Sequence, residues 1–236
     1  SIAWTSTDAY GSFSTTFTIN TQPYGKTTII AYSDVLGIFA IDNTFIKQNV
    51  VFVTPISGTV GTIVTLQGDG YCGSDLVCVD FGTTQTITTT STMAGGSFTT
   101  TFTIDTQPYG WTTVKATGGT ITYSVKFEIR PRIIFISPKE GTVGTVITIA
   151  GNGYPASADL RIEFGTTPTI QLISTVAEGS WTTTFTIDTQ PYGTTTVIAH
   201  SGSVSADGTV SISSNIILIT PTEGTVGSFV TVAGNG

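Results

Sequence analysis

Residues 98–105 read FTTTFTID. Phe98, Thr100, Phe102 and Ile104 fall on one side of an extended chain, and Thr99, Thr101, Thr103 and Asp105 on the other. That period of two predicts a strand with one buried face. The same alternation runs through Phe13, Thr15, Phe17 and Ile19, and through Trp181, Thr183, Phe185 and Ile187. Thr, Val, Ile, Phe and Tyr dominate the remaining segments, and these residues favour pleated strands. Further strands are expected at 50–54, 62–67, 77–81, 112–117 and 121–129, with equivalents downstream. The turn signals GDG, FGTT, AGGS, QPYG and TGG separate them. No stretch carries a helical stripe.

The pattern repeats on a larger scale. GTVGTIVTLQGDG at 58–70 returns as GTVGTVITIAGNG at 141–153 and as GTVGSFVTVAGNG at 224–236. Pro55, Pro138 and Pro221 are spaced by 83 residues, and Pro23, Pro108 and Pro191 of the TQPYG segments by 85 and 83. Repetition of this quality organises the whole chain. It divides the sequence into complete units at 49–131 and 132–215, the later part of a unit at 1–48, and the opening of another at 216–236. The fifteen residues equivalent to 71–85 occur in neither end fragment. The expectation is either a segment of a longer array or a subunit whose ends complement each other across copies. About seven short strands in 83 residues predict an all-β chain of tandem immunoglobulin-like sandwiches. FEIR runs through Pro131 into IIFISP with no Gly/Ser linker, so the units are expected to form a stiff rod.

The phrase SPKEGTVGTVITIAGNGYPASADLRIEFGTT resembles the start of the IPT/TIG family of immunoglobulin-like domains. Pro138, Gly141, Gly144, Gly151, Gly153, Tyr154, Phe164 and Gly165 carry the match, as do Pro55, Gly58, Gly61, Gly68, Gly70, Tyr71, Phe81 and Gly82 one unit earlier. TFTIDTQPYGTTTVIA resembles the family's closing hairpin. The resemblance implies an IPT/TIG-type sandwich. It also implies, for a tandem, Thr-rich and acidic chain, a microbial cell-surface protein. Fold alone does not assign a function.

Composition narrows the classes. Charged residues make up only 10% of the chain, against about 25% in ordinary soluble proteins, so its surface resists self-association poorly. The net charge is −7 with eight thinly scattered Lys and Arg, which argues against nucleic acid as a partner. No run reaches the roughly 18 apolar residues of a membrane span. Cys72 and Cys78 are too few for a zinc site. They are read as a local disulfide, which would place the chain outside the cytoplasm.

Catalytic constellations are absent from the sequence. His200 is the only histidine and falls in one unit, so no Ser-His-Asp or Cys-His set recurs. Asp80 and Glu163 are single, equivalent acids before Phe-Gly and are read as solvent-facing. Asn20, Asp105 and Asp188 precede TQPYG and are expected to cap that turn through backbone amides. No Asp-x-Asp cluster marks a calcium site, and no metal or cofactor is expected. Tyr24, Tyr109 and Tyr192 are expected to pack over their own hairpins, with sugar stacking as the alternative.

The leading expectation is therefore a non-enzymatic extracellular protein, the subunit of a filament, sheath or surface layer, whose partners are copies of itself. Its assembly strands would be IILITP and GSFVTVAGNG, with Ile216, Ile217, Leu218, Ile219, Phe229, Val230 and Val232 as the residues that add to a neighbour's 1–48. The alternatives are an adhesin stalk or carbohydrate-binding module, with Trp111 or Tyr71 as contact to surface glycans, and a spacer in a larger secreted enzyme.

Overall fold

The computed structural model describes residues 1–119 and 121–236, and the side chains of all of these except residues 50, 51, 121 and 217. Every regular element among them is a strand. The first two are β1 (Gly25–Tyr32) and β2 (Phe39–Ile46). The next eight are β3 (Asn49–Thr54), β4 (Ser57–Gly58), β5 (Ile63–Asp69), β6 (Leu76–Phe81), β7 (Thr84–Ser91), β8 (Phe98–Thr103), β9 (Gly110–Gly118) and β10 (Ile121–Ile129). The same series returns as β11 (Arg132–Ser137), β12 (Glu140–Gly141), β13 (Val146–Asn152), β14 (Asp159–Phe164), β15 (Thr167–Ser174), β16 (Trp181–Thr186), β17 (Gly193–Ser201) and β18 (Val204–Ile212). The chain finishes with β19 (Asn215–Thr220) and β20 (Thr231–Asn235).

Strands β3–β10 form a three-stranded sheet in the order β3-β5-β8 and a five-stranded sheet in the order β4-β10-β9-β6-β7. Strands β11–β18 repeat both orders as β11-β13-β16 and β12-β18-β17-β14-β15. All pairings are antiparallel except the short first-edge strands, β4 and β12, which run parallel to β10 and β18. Strands β3, β11 and β19, the last in a two-stranded sheet with β20, are bulged at the same place, between Val50 and Phe52, Ile133 and Phe135, and Ile216 and Leu218. The X-Pro bonds at Pro55, Pro138 and Pro221 are all cis. These are immunoglobulin-like sandwiches.

The alternation read from the sequence decides what fills each sandwich. Val64, Leu66, Phe98 and Phe102 of one sheet meet Val79, Phe81, Val114 and Phe127 of the other in a single buried cluster. The second sandwich encloses the equivalent cluster around Ile149, Phe164, Trp181 and Phe185. Phe81 and Phe102 lie 5.1 Å apart at 49°, and Phe164 and Phe185 lie 5.0 Å apart at 50°. These tilted pairs bridge the two sheets in the same way in both units. Burying each such ring contributes roughly 1.5–3 kcal/mol.

Two expectations change. Strands β7 and β15 are absent from the sequence-based set: TQTITTTS has no run of alternating apolar residues and lies on the open edge beside β6, with Ile87 half-covered by the core. Edge position relaxes the demand for an apolar face. Conversely, Phe13, Thr15, Phe17 and Ile19 keep the strand alternation, yet residues 1–24 contain no strand. The strand that pairs with their equivalents is β5 or β13, and the first fragment has none. Phe13, Phe17 and Ile19 are accordingly exposed, at 54%, 38% and 54%.

Phe81→Ala and Phe164→Ala should each lower the free energy of unfolding by about 3–5 kcal/mol in denaturant titrations. Phe229→Ala, at a fully solvated side chain, should stay within about 0.5 kcal/mol of the parent. Equal effects at all three sites would contradict the shared core.

Candidate assembly interface

The TQPYG turns do more than close a hairpin. Gln107 is buried and its side chain holds the neighbouring Phe-Gly turn: Oε1 accepts from the Thr83 amide at 3.0 Å, and Nε2 donates to the Phe81 carbonyl at 3.3 Å and to Asp105 Oδ1 at 2.8 Å. Thr84 closes the set with a hydroxyl bond to the other Asp105 oxygen. Gln190 repeats each of these contacts, with Thr166, Phe164, Asp188 and Thr167. Asp105 and Asp188 therefore cap through side chains, not through the backbone amides expected from the sequence. Asn20 does likewise, accepting from Gln22 at 2.8 Å. A single polar residue before a Pro-Tyr-Gly turn carries no sequence signal of burial.

The following residues reach into the next unit. The Tyr24 amide donates to the Tyr71 carbonyl at 2.7 Å, and the Tyr109 amide to the Tyr154 carbonyl at 2.9 Å. The same tyrosines hold a glycine turn of their own unit, with the amides of Tyr71 and Tyr154 donating to Gly96 and Gly179 at 3.0 and 3.1 Å. Both glycines have φ near +75°, at +79° and +70°. A Cβ on either would overlap the tyrosine carbonyl and stand 2.8 or 2.9 Å from Cα of Pro23 or Pro108. A turn from one unit, a carbonyl from the next and a glycine thus form a joint too tight for a side chain. Tyr24 also packs edge-on against Phe45 of its own hairpin, at 5.2 Å and 89°, so part of the hairpin expectation holds at that position.

Tyr71 is not a ligand contact. It is fully buried, edge-on to Phe98 at 5.2 Å and beneath Gly68 and Gly118, neither of which leaves room for a Cβ. Burial, reinforced by the Asp69 carboxylate and Tyr123, pushes its hydroxyl up to about 12. Burial likewise raises Tyr154, whose hydroxyl donates to the Ala199 carbonyl at 3.4 Å, whereas the Tyr71 hydroxyl meets no partner. Trp111, by contrast, is 69% exposed on β9.

The cysteines are free thiols. Cys78 lies mid-strand on the outer face of β6, opposite Thr89 and Thr117, and Cys72 is exposed in the preceding loop. Thr92 Oγ1 donates to the Cys72 carbonyl at 2.5 Å, and Thr175 makes the equivalent bond to Pro155 at 2.6 Å. The loop has the same anchoring where Pro155 and Arg161 stand in place of the cysteines, so its shape does not come from a bond between them.

Asp80 lies at a bulge in the β6–β7 ladder. Its carboxylate pairs with Lys115 at 2.6 Å and accepts the Thr86 amide at 2.9 Å, and these two partners hold it below the usual carboxylate range. Glu163 is flanked by Arg161 at 2.5 Å and His200 at 3.2 Å. Both acids serve cross-strand pairs on the outer sheet face. No group of three or more metal-ligating side chains is found among the described residues.

The two ends of the chain expose apolar faces. Val230 and Val232 are 52% and 59% exposed, while their equivalents Val64, Leu66, Ile147 and Ile149 are fully buried. Ile219, about half exposed, corresponds to the buried Val53. Phe229, Ile216 and Leu218 are exposed too, but Phe229 and Leu218 correspond to positions that stay open in complete units, such as Ile63 and Phe52. The side chain of Ile217 lies outside the described residues. Shallow concavities mark both regions, one lined by Ser214–Ile216 and Gly234–Gly236, the other including Ile19, Phe45 and Gly70.

No protein-family model matches the chain, and no curated protein matches it. Among solved structures it is similar to the Yersinia pseudotuberculosis adhesin InvE, with 15% identity and a TM-score of 0.31 over 74% of this chain and 60% of that one. It is similar to the D0-D1 domain of intimin at 14% identity and a TM-score of 0.27, over 69% and 98% of the two chains. It is also similar to the N-terminal eight Ig domains of Down Syndrome Cell Adhesion Molecule at 13% and 0.27, over 93% and 38%. The chain thus spans about 60% of the length of the InvE structure. The immunoglobulin-like assignment rests on the sheet orders and cores above. No helix long and apolar enough to cross a membrane occurs among the described residues.

Tyr71→Phe removes an unpartnered buried hydroxyl and should leave stability unchanged or raise it by about 1 kcal/mol, whereas Tyr154→Phe should cost about 0.5–1.5 kcal/mol. The folded-state value of Tyr71 lies above the unfolded value near 10. Its contribution is therefore complete below pH ~10 and lost as pH rises towards about 12. Chemical denaturation across that window should show a shallower alkaline loss for Tyr71→Phe than for the parent.

Proposed function

We propose that the chain is an extracellular structural subunit of IPT/TIG type, whose activity is assembly with copies of itself into a filament, sheath or surface layer. The observation that carries this reading is the matched exposure at the two ends. In both complete sandwiches the equivalents of Phe13, Phe17, Ile19, Val230 and Val232 are all buried, and the strand that carries the first two pairs with the strand that carries the equivalents of Val230 and Val232.

The repeat supplies the register. Transferring the β13–β16 pairing sets Val230 opposite Phe17, Val232 opposite Thr15, and Gly234 opposite Phe13. Strand addition of this kind contributes main-chain hydrogen bonds for affinity and side-chain burial for register. Head-to-tail repetition of one such contact propagates rather than closes. The joined ends make a complete three-stranded sheet. The position equivalent to β6, with Val77, Val79 and Phe81 fully buried, has no counterpart in either end.

Low charge and hydroxyl-rich outer faces support the extracellular placement, and the IPT/TIG resemblance agrees with it. The thiols lend it nothing, being unpaired. A second reading, a glycan-binding stalk, is favoured by Trp111 alone: it is a large exposed aromatic whose equivalents are Lys26 and Thr194. Glycan-array binding lost on Trp111→Ala would favour that reading.

Electron microscopy of the purified chain should show regular polymers. Phe13→Asp should abolish them while leaving the monomer's unfolding curve within about 0.5 kcal/mol of the parent, because Phe13 is solvated in the single chain. Polymers unaffected by Phe13→Asp would overturn strand addition as the mode of assembly.

A further inference from the structure

The corner that each buried glutamine holds contains the groups that an acyl transfer needs. Gln107 and Gln190 are 1% and 2% exposed, and each presents its carboxamide to a threonine hydroxyl and a carboxyl group at once. Thr84 Oγ1 donates to Asp105 Oδ2 and stands 3.2 Å from Gln107 Nε2, one bond from the carboxamide carbon. The other aspartate oxygen, Oδ1, accepts from the same Nε2 at 2.8 Å. Gln107 Oε1 accepts twice from Thr83, from its amide at 3.0 Å and from its hydroxyl at 3.1 Å.

The second sandwich repeats the set 83 residues on. Thr167 Oγ1 donates to Asp188 Oδ2 and lies 3.5 Å from Gln190 Nε2, which donates to Asp188 Oδ1 at 2.6 Å. Thr166 supplies both donors to Gln190 Oε1, at 3.0 and 3.3 Å. A Cβ on Gly82 or Gly165 would overlap the glutamine Oε1, so the Phe-Gly turn can close around that oxygen only as glycine.

We propose that Thr84 with Gln107, and Thr167 with Gln190, are self-catalysed cross-linking sites, at which the threonine hydroxyl displaces the glutamine nitrogen as ammonia and leaves a side-chain ester. In the first sandwich Thr84 Oγ1 attacks Gln107 Cδ, which the soft terminal torsion of the glutamine turns towards it. Asp105 takes the hydroxyl proton on Oδ2. Negative charge develops on Oε1, where the two Thr83 donors stand as an oxyanion hole. After a half-turn of its carboxyl group Asp105 gives the proton to Nε2, the Cδ–Nε2 bond breaks, and ammonia leaves. One Oγ1–Cδ bond replaces one Cδ–Nε2 bond, and the hydroxyl proton ends on ammonia, so the atoms balance without a further reactant. Burial of the glutamine keeps water from competing as the attacking group.

The link would tie β7, the edge strand of one sheet, to the loop that leaves β8, the edge strand of the other. It would therefore join the two sheets of a sandwich covalently, whatever the copies of the chain do to one another. Asn20 stands where Asp105 and Asp188 stand. An amide takes up no proton, so the assignment is confined to the two complete sandwiches.

Mass spectrometry of the full chain tests the link. The intact mass should fall below the sequence value by two molecules of ammonia. Chymotrypsin, acting on the denatured chain, cuts at Phe98 and Phe102 and at Trp181 and Phe185, between the residues to be joined. Peptides carrying 84 and 107, and those carrying 167 and 190, should nonetheless emerge as linked pairs that hydroxylamine separates. An intact mass at the sequence value with free peptides would overturn the cross-link. Linked pairs that resist hydroxylamine would be amides and would overturn the ester.

Variants in the first sandwich keep the 167–190 pair as an internal control. Thr84→Ser retains the hydroxyl and should retain the 84–107 pair, whereas Thr84→Val should lose it. Asp105→Asn should slow closure about 100-fold or more, followed as the linked fraction after a pulse of cell-free synthesis. An 84–107 pair that closes in Thr84→Val would overturn Thr84 as the attacking group. Closure at the parental rate in Asp105→Asn would overturn the aspartate as the catalytic residue.

Discussion

A strand in this protein exists only where another strand completes its ladder. The segment TTFTI occurs three times. At 100–104 and 183–187 its first residues belong to β8 and β16, which pair with β5 and β13, and its aromatic is buried against the facing sheet. At 15–19 the same letters form no strand and leave Phe17 and Ile19 open to water. Local propensity is identical in the three copies. The difference lies in the non-local partner, whose main-chain bonds must be made before an apolar face can be enclosed.

That constraint also explains what could be read in advance. The buried faces of β5, β8, β9 and β10 follow an alternation that survives in sequence because each has a covered side and a solvated side. The repeat period, set by Pro and Gly landmarks, extended one strand assignment to the whole chain. β7 was not legible, since an edge strand of Thr and Gln can do without apolar alternation. Nor was the lack of a strand at 13–18, because a missing partner leaves no mark on the sequence of the segment that lacks it.

Site residues divided along the same line. Tyr71 follows GDG and reads as a loop tyrosine, yet it fills the space left by Gly68 and Gly118 in the core. Gln107 and Gln190 read as surface polar residues, yet each links two turns from inside the fold. A buried polar side chain is recognised by its partners, and the Phe-Gly turn that each glutamine holds lies more than twenty positions away. The joint between units was equally hidden. It consists of main-chain groups and a glycine, which carry almost no side-chain signature, although the missing linker at Pro131 had already pointed to close abutment.

The glutamine brackets have one more consequence. Each clamps the end of β6 or β14 to the opposite corner chiefly through amide and hydroxyl groups, with one acidic side chain among its members. Neutral donors and acceptors are scarcely weakened by dissolved electrolyte, unlike the solvent-exposed charge pairs on the outer faces. The corner where adjoining sandwiches touch is thereby braced by forces that brine leaves essentially intact.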